Sequence, residues 1–267
     1  MTAAGTGRGT GAGAGVPAGA LVGQVDGVLL DVDDTLVDTR SAFAAAVDAV
    51  CRQWLPHLDA DGRAAALALW RADPEGHYRA YTRGETDADT QRRRRAEGLQ
   101  AAFGGARLGD TGYAAWVEVF WSTFEDAWSA HADAVPLLAT LRAAGLPSGA
   151  VTNADAALQT RKLARCGLGE VDVLVTLDTL GVGKPDPRVF HEGCRRLGTA
   201  PARTLYVGDE ADVDALAAVA AGLVGVWLDR PGERRGGPAH EDPDAVREQG
   251  AHVVRSLTEL GALLGGG

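Results

Sequence analysis

The chain has 267 residues, 46% of them hydrophobic and 23% charged, which at the usual ~100–200 residues per domain makes one large domain or two smaller ones. A formal net charge of −10 opposes general attraction to nucleic acid or an anionic membrane, so any anion the protein handles must meet a local positive site. Three cysteines without a C-x-x-C pair argue against a disulfide framework or zinc knuckle, and no run of about 18 apolar residues offers a membrane span, so a soluble, cytoplasmic protein is expected.

Residues 1–22 are a low-complexity tail, with 13 Gly or Ala among the first 20. So little apolar surface cannot offset the entropy of ordering, and disorder is expected there, with order beginning at Val25. Val28-Leu29-Leu30 is a short apolar run ending in Asp31-Val32-Asp33-Asp34, the pattern of a buried parallel strand that delivers acids to its C-terminal edge. From Ser41 to about Ala132 the spacing is helical throughout: Phe43, Val47 and Val50 recur on one face, as do Trp116, Phe120, Phe124 and Trp128. This segment holds five of the six Trp, three of the four Tyr and four of the five Phe, and so has the apolar supply for a separate helical unit.

Beyond Ala132 the period changes. A helix runs from Val135-Pro136 to a stop at Gly145, the strand-like Ser148-Gly149-Ala150-Val151 follows, and the next helix ends at Gly167. Further strands are predicted at 171–175, 204–207, 223–228 and 252–254, with helices at about 187–197, 212–221 and 256–264 and a polar loop over 231–249. Alternation of this kind predicts an α/β fold, a Rossmann-like parallel sheet with helices on both faces, carrying an inserted α-helical domain. The expected division is a tail over 1–22, a core formed by 23–40 and 133–267, and a helical insert over 41–132.

Four polar segments fall at predicted strand ends or in the crevice they define: Asp31 to Thr35, Thr152-Asn153, Gly183-Lys184-Pro185, and Gly208-Asp209 with Asp214. Residues i and i+2 of an extended strand point the same way, so Asp31 and Asp33 can address one reacting centre as nucleophile and proton carrier. Asp209 adds a third carboxylate, and such repulsion calls for a divalent cation with a preference for hard oxygen ligands, Mg²⁺. Thr152 and Asn153 supply neutral donors and Lys184 a point charge, together a cradle for a phosphoryl group. All but two of the 26 basic residues are arginine, the exceptions being Lys162 and Lys184.

The four segments resemble the four motifs of the haloacid dehalogenase superfamily. Asp31-Val32-Asp33-Asp34-Thr35-Leu36 is similar to the first motif, Thr152-Asn153 to the second, Lys184 in Gly-Lys-Pro-Asp-Pro to the third, and Asp209 with Asp214 to the fourth. The resemblance implies that Asp31 attacks phosphorus to form an aspartyl-phosphate, and that Asp33 protonates the leaving oxygen and then activates water. It further implies that Asp31, the carbonyl of Asp33, and Asp209 hold Mg²⁺ with support from Asp214. Thr152, Asn153 and Lys184 would bind the phosphoryl group, and the helical insert resembles the family's C1-type cap. Asp34 stands where relatives commonly have Gly, a substitution its tolerance of unusual backbone angles allows. Leu177-Asp178 stands where many relatives have Ser and an acid.

Asp33 separates the chemistries of that superfamily. Dehalogenases of the haloacid type usually have Tyr there, so an acid argues for phosphate ester cleavage, and the absence of lysine from 41–132 excludes the Schiff-base route to phosphonates. A phosphomutase keeps all four motifs and stands as the alternative enzyme; a phosphorelay receiver, with its own Asp, Thr and Lys around Mg²⁺, is the non-enzymatic alternative. Gly183-Lys184 is no P-loop, because Asp178 and Pro185 break that pattern. The run Arg92 to Arg95 reads as a solvated helix face. Gly84-Glu85-Thr86 through Arg95, with Gln159, Lys162 and Leu163, is similar to nucleoside 5′-monophosphatases and acylneuraminate phosphatases, so a small nucleoside or sugar phosphate is the expected substrate.

Overall fold

The computed structural model describes residues 19, 21–169, 171–232 and 242–265. Most of the expected tail, 1–18 and 20, lies outside them, as does the 233–241 part of the polar loop. Strands β1 (Gly27–Leu30), β2 (Ser148–Val151), β3 (Val173–Val175), β4 (Thr204–Gly208), β5 (Val224–Leu228) and β6 (His252–Val254) form one parallel sheet in the order β3-β2-β1-β4-β5-β6. Alternation across β1 builds both faces of the core. Val28 and Leu30 join Leu205, Val207, Val226 and the Leu137, Leu141 and Leu260 side chains on one face, while Leu29 meets Val151, Val175, Phe190 and Tyr206 on the other.

Helices α6 (Ala134–Ala143) and α12 (Leu257–Leu263) cover the first face. Helix α9 (Pro187–Leu197) and the short α10 (Ala217–Ala220) cover the second. Helices α7 (Ala156–Arg165), α8 (Leu177–Leu180) and α11 (Pro243–Glu248) complete this part of the chain. Strand β1 pairs with β2 on one side and β4 on the other, so the strand order reverses beside β1, where parallel sheets open a crevice at their carboxyl ends.

Five helices stand between β1 and α6: α1 (Thr39–Trp54), α2 (Ala60–Ala72), α3 (His77–Thr82), α4 (Ala88–Ala102) and α5 (Gly109–Asp126). Asp38, Asp59 and Asp87 cap α1, α2 and α4 by accepting the N–H groups of Ser41, Gly62 and Thr90. These helices share a core of their own around Trp70, Trp116, Phe120 and Phe124. Trp116 stacks on Phe120 at 5.0 Å between centroids, and Phe43 lies 4.5 Å from Phe124.

The structure departs from expectation in three places. Order reaches back before Val25, because Leu21 is buried with Leu263 and Leu264 and its N–H bonds the Leu263 carbonyl at 3.0 Å. The stretch expected as a loop contains α11, started by Asp242 with Pro243 at its first position. The arginine run is mostly not a solvated face: Arg95 lies 4.0 Å over Trp70, Arg93 4.2 Å over Tyr113 and Arg92 4.6 Å over Trp121. Aromatic faces brought by α2 and α5 attract these cations, and only Arg94 of the four is exposed.

Candidate active site

The loop after β1 folds on itself. The N–H groups of Leu36 and Val37 both bond the Val32 carbonyl, and that of Asp34 returns to the Val37 carbonyl at 2.7 Å. Asp34 takes φ +59°, a left-handed geometry that Asp tolerates, and its carboxylate accepts the Arg40 N–H at 2.6 Å. Val37 also forms an antiparallel bridge to Ala130, so the segments that enter and leave the helical insert lie side by side.

Asp31 follows β1, Thr152 follows β2 and Asp209 follows β4, three neighbouring strand ends. A carboxylate oxygen from each of Asp31, Asp209 and Asp214 lies within 4.8 Å of the others. Asp214 reaches the site from a π-helical turn, Ala211–Leu216, and lies so close to β4 that a Cβ on Gly208 would sit 2.3 Å from it. The Lys184 ammonium is buried among them and donates to Asp31 Oδ1 at 2.7 Å, Asp214 Oδ1 at 2.7 Å and the Tyr206 hydroxyl at 2.9 Å. Its three donors are thereby used. Burial pushes the Asp31 carboxyl up to about 7; the Lys184 charge opposes that rise, and Asp214 and Asp33 add to it.

Asp33 sits beside this group with different partners. Thr39 Oγ1 donates to its Oδ1 at 2.7 Å, Gln159 Nε2 to its Oδ2 at 2.7 Å, and the Lys162 ammonium pairs closely with Oδ1. Burial raises the Asp33 carboxyl, but the Lys162 charge and these three hydrogen bonds outweigh it and hold the group below its ordinary value. Thr152 Oγ1 accepts from Gln159 Nε2 at 2.9 Å. Asn153 braces the next loop: Nδ2 donates to the Lys184 carbonyl at 2.9 Å and Oδ1 accepts the Lys184 N–H at 2.6 Å. That amide leaves no room for a Cβ at residue 183, which would meet Asn153 Oδ1 at 2.3 Å. The insert reaches the same loop, since the Thr82 carbonyl at the end of α3 accepts the Gly183 N–H at 3.0 Å.

The haloacid dehalogenase-like hydrolase family model matches residues 25–222. The chain belongs to the haloacid dehalogenase-like hydrolases. Within this family it is 38% identical over 133 residues to the glyceraldehyde 3-phosphate phosphatase of Methanopyrus kandleri, covering 49% of this chain and 57% of that one. It is 37% identical over 116 residues to the phosphoserine phosphatase of Thermus thermophilus, covering 43% and 44% of the two chains. To the pyrimidine 5′-nucleotidase YjjG of Escherichia coli it is 36% identical over 135 residues, covering 49% and 55%. The chain spans about half the length of these curated relatives. In fold it is similar to the magnesium-bound HAD-hydrolase YfnB of Bacillus subtilis, with a TM-score of 0.71 at 22% identity over 91% of this chain and 99% of that one.

This haloacid dehalogenase-like site includes three residues that motif reading alone did not place. Tyr206 stands in an otherwise apolar strand, and its one outward sign is that it is the only tyrosine outside the helical segment. Gln159 and Lys162 are both buried, at i and i+3 on α7 beside Leu163, a polar pair on the inner face of a helix.

Proposed function

We propose that this protein is a Mg²⁺-dependent phosphatase of small phosphate monoesters, nucleoside or sugar phosphates above all, with the helical insert as its cap. The observation that carries this reading is the convergence of Asp31, Asp209 and Asp214, two of them paired with the buried Lys184, with Asp33 alongside. Three carboxylates and one ammonium leave two negative charges uncompensated, and oxygen donors of this kind fit Mg²⁺ held by Asp31, the Asp33 carbonyl and Asp209, with Asp214 nearby. When bound, Mg²⁺ supplies the positive charge that keeps Asp31 ionised and draws charge from the phosphoryl oxygens.

Asp31 attacks phosphorus, the ester P–O bond breaks, and Asp33, which its pairing with Lys162 holds ionised at rest, takes the proton that the monoester monoanion brings and passes it to the leaving oxygen. Asp33 then takes a proton from water, which attacks the aspartyl-phosphate; the bond from phosphorus to Asp31 breaks and phosphate leaves. Thr152 donates to the transferring group and Lys184, its three donors held by Asp31, Asp214 and Tyr206, adds positive charge beside it, with Asn153 fixing the Lys184 backbone. The relatives named as phosphatases support this reaction class. Turnover of p-nitrophenyl phosphate with Mg²⁺, its loss in EDTA, and its absence from a folded Asp31→Asn variant are the expected results. Because the uncatalysed reaction is among the slowest known, normal activity in that variant would refute the assignment.

A further inference from the structure

We propose that Gln159 and Lys162 are positioning residues that fix where protons travel in this site, making Oδ2 of Asp33 the proton-carrying oxygen and turning the Thr152 hydroxyl toward the phosphoryl group. The proposal rests on the phosphatase reading for its kinetics and on geometry for its residues.

A carboxylate offers about four acceptor positions, two on each oxygen. At Asp33, Oδ1 receives both Thr39 Oγ1 and Lys162 Nζ, while Oδ2 receives Gln159 Nε2 alone. The remaining position lies on Oδ2. A hydroxyl offers two acceptor positions and one donor. Thr152 Oγ1 accepts from Gln159 Nε2 at 2.9 Å and from the Ala154 N–H at 3.4 Å, so its O–H is the part left to act outward. One amide thus sets the polarity of both neighbours. Reversing that amide would aim Oε1 at the Asp33 carboxylate, oxygen against oxygen, and the orientation present is kept although Oε1 is buried without a protein partner.

Lys162 fixes the other oxygen. Its side chain is buried, and the Phe124 and Trp128 rings of the insert lie 5.7 and 5.5 Å from its ammonium. An ammonium covered on that side by aromatic faces and aimed at Asp33 prevents the carboxylate from rotating away from the leaving oxygen. Neither residue needs to touch substrate for this role.

The test is a double-mutant cycle between Lys162→Met and Asp33→Asn, measured on an alkyl phosphate and on p-nitrophenyl phosphate in the full chain. In the wild-type background Lys162→Met should lower kcat on the alkyl ester by about 10–100-fold with KM held within about threefold, and affect p-nitrophenyl phosphate far less. In the Asp33→Asn background it should change kcat by less than about threefold. Lys162→Arg should recover part of the loss, and Gln159→Met, which removes no charge, should repeat the pattern at smaller size. Losses that multiply in the double variant, or a raised KM at unchanged kcat, would overturn the proposal. Because the chain has two lysines, its side-chain ¹⁵Nζ spectrum has two ammonium signals, and Asp33→Asn should move the one from Lys162. A wild-type protein inactive on every monoester would remove the phosphatase reading alone. A Lys162 signal indifferent to Asp33→Asn would remove the clamp whatever the activity.

Discussion

Among the described residues, Lys184 carries the one positive charge in direct contact with Asp31 and Asp214, and its compact ammonium serves three acceptors that diverge from one point. Lys184→Ala would leave two buried carboxylates facing each other, and removing one partner of a buried pair typically costs about 3–5 kcal/mol. The expected outcome is a lower melting temperature, partly restored by Mg²⁺, and turnover reduced more than about 100-fold. Lys184→Arg should fall between the variant and the parent, because a planar fork cannot repeat the same three contacts. Calorimetry and kinetics with and without Mg²⁺ check this; an alanine variant with unchanged turnover would return Lys184 to a structural role. Lys184, Asp31 and Asp209 were legible in the sequence because acids or a lone lysine beside glycine follow apolar runs there. Gln159 and Lys162 were legible only as a loose family likeness, since a polar residue on a helix does not disclose which way its face is turned. Asn153 has a second task that its residue type did not disclose, because its amide also braces two backbone groups 31 positions away.

Among the elements, the joint that closes the core after the insert rests on Asp133. Its carboxylate receives Arg230 Nη1 at 3.0 Å, Arg230 Nη2 at 2.8 Å and the Leu257 N–H at 2.9 Å, tying the start of α6 to the end of β5 and the start of α12. Burial raises this carboxyl, but the Arg230 bonds and the Leu257 N–H bring it below its ordinary value. A lowered native pKa means that the unfolded chain binds the proton more readily. The stabilisation is therefore complete above the ordinary carboxylate range and is lost as pH falls through the native value. Asp133→Asn should cost about 2–4 kcal/mol at neutral pH, and its unfolding free energy should change less between about pH 7 and about pH 3 than that of the parent. Denaturant titrations at the two pH values decide it, and parallel pH curves would exclude the role. Strand positions were readable at this scale because each is a short apolar run ending in a polar turn. Helix α11 was hidden by its polarity, and the arginine run was misread because its aromatic partners come from α2 and α5.

At the scale of the whole molecule, the chain passes between core and insert through two adjacent segments. The Asp38 N–H bonds the Ser129 carbonyl at 2.9 Å, and the His131 N–H bonds the Leu36 carbonyl at 2.9 Å. Residues between these points can be exchanged without cutting a strand of the sheet. In the proposed reaction the four motifs address only metal and phosphoryl, which every phosphate ester shares, so choice of leaving group resides elsewhere. Replacing residues 39–128 with the equivalent segment of another family member should change the ranking of phosphorylated substrates while p-nitrophenyl phosphate turnover persists. A folded chimaera with the original ranking would place specificity in the core. Both lysines of this chain are buried, Lys162 at 1% and Lys184 at 5% exposure, so the folded surface offers no side-chain amine at all. Reagents that acylate amines should spare both lysine side chains in the native protein and reach them only as it opens, which makes covalent labelling at these two positions a direct count of how often the site comes apart.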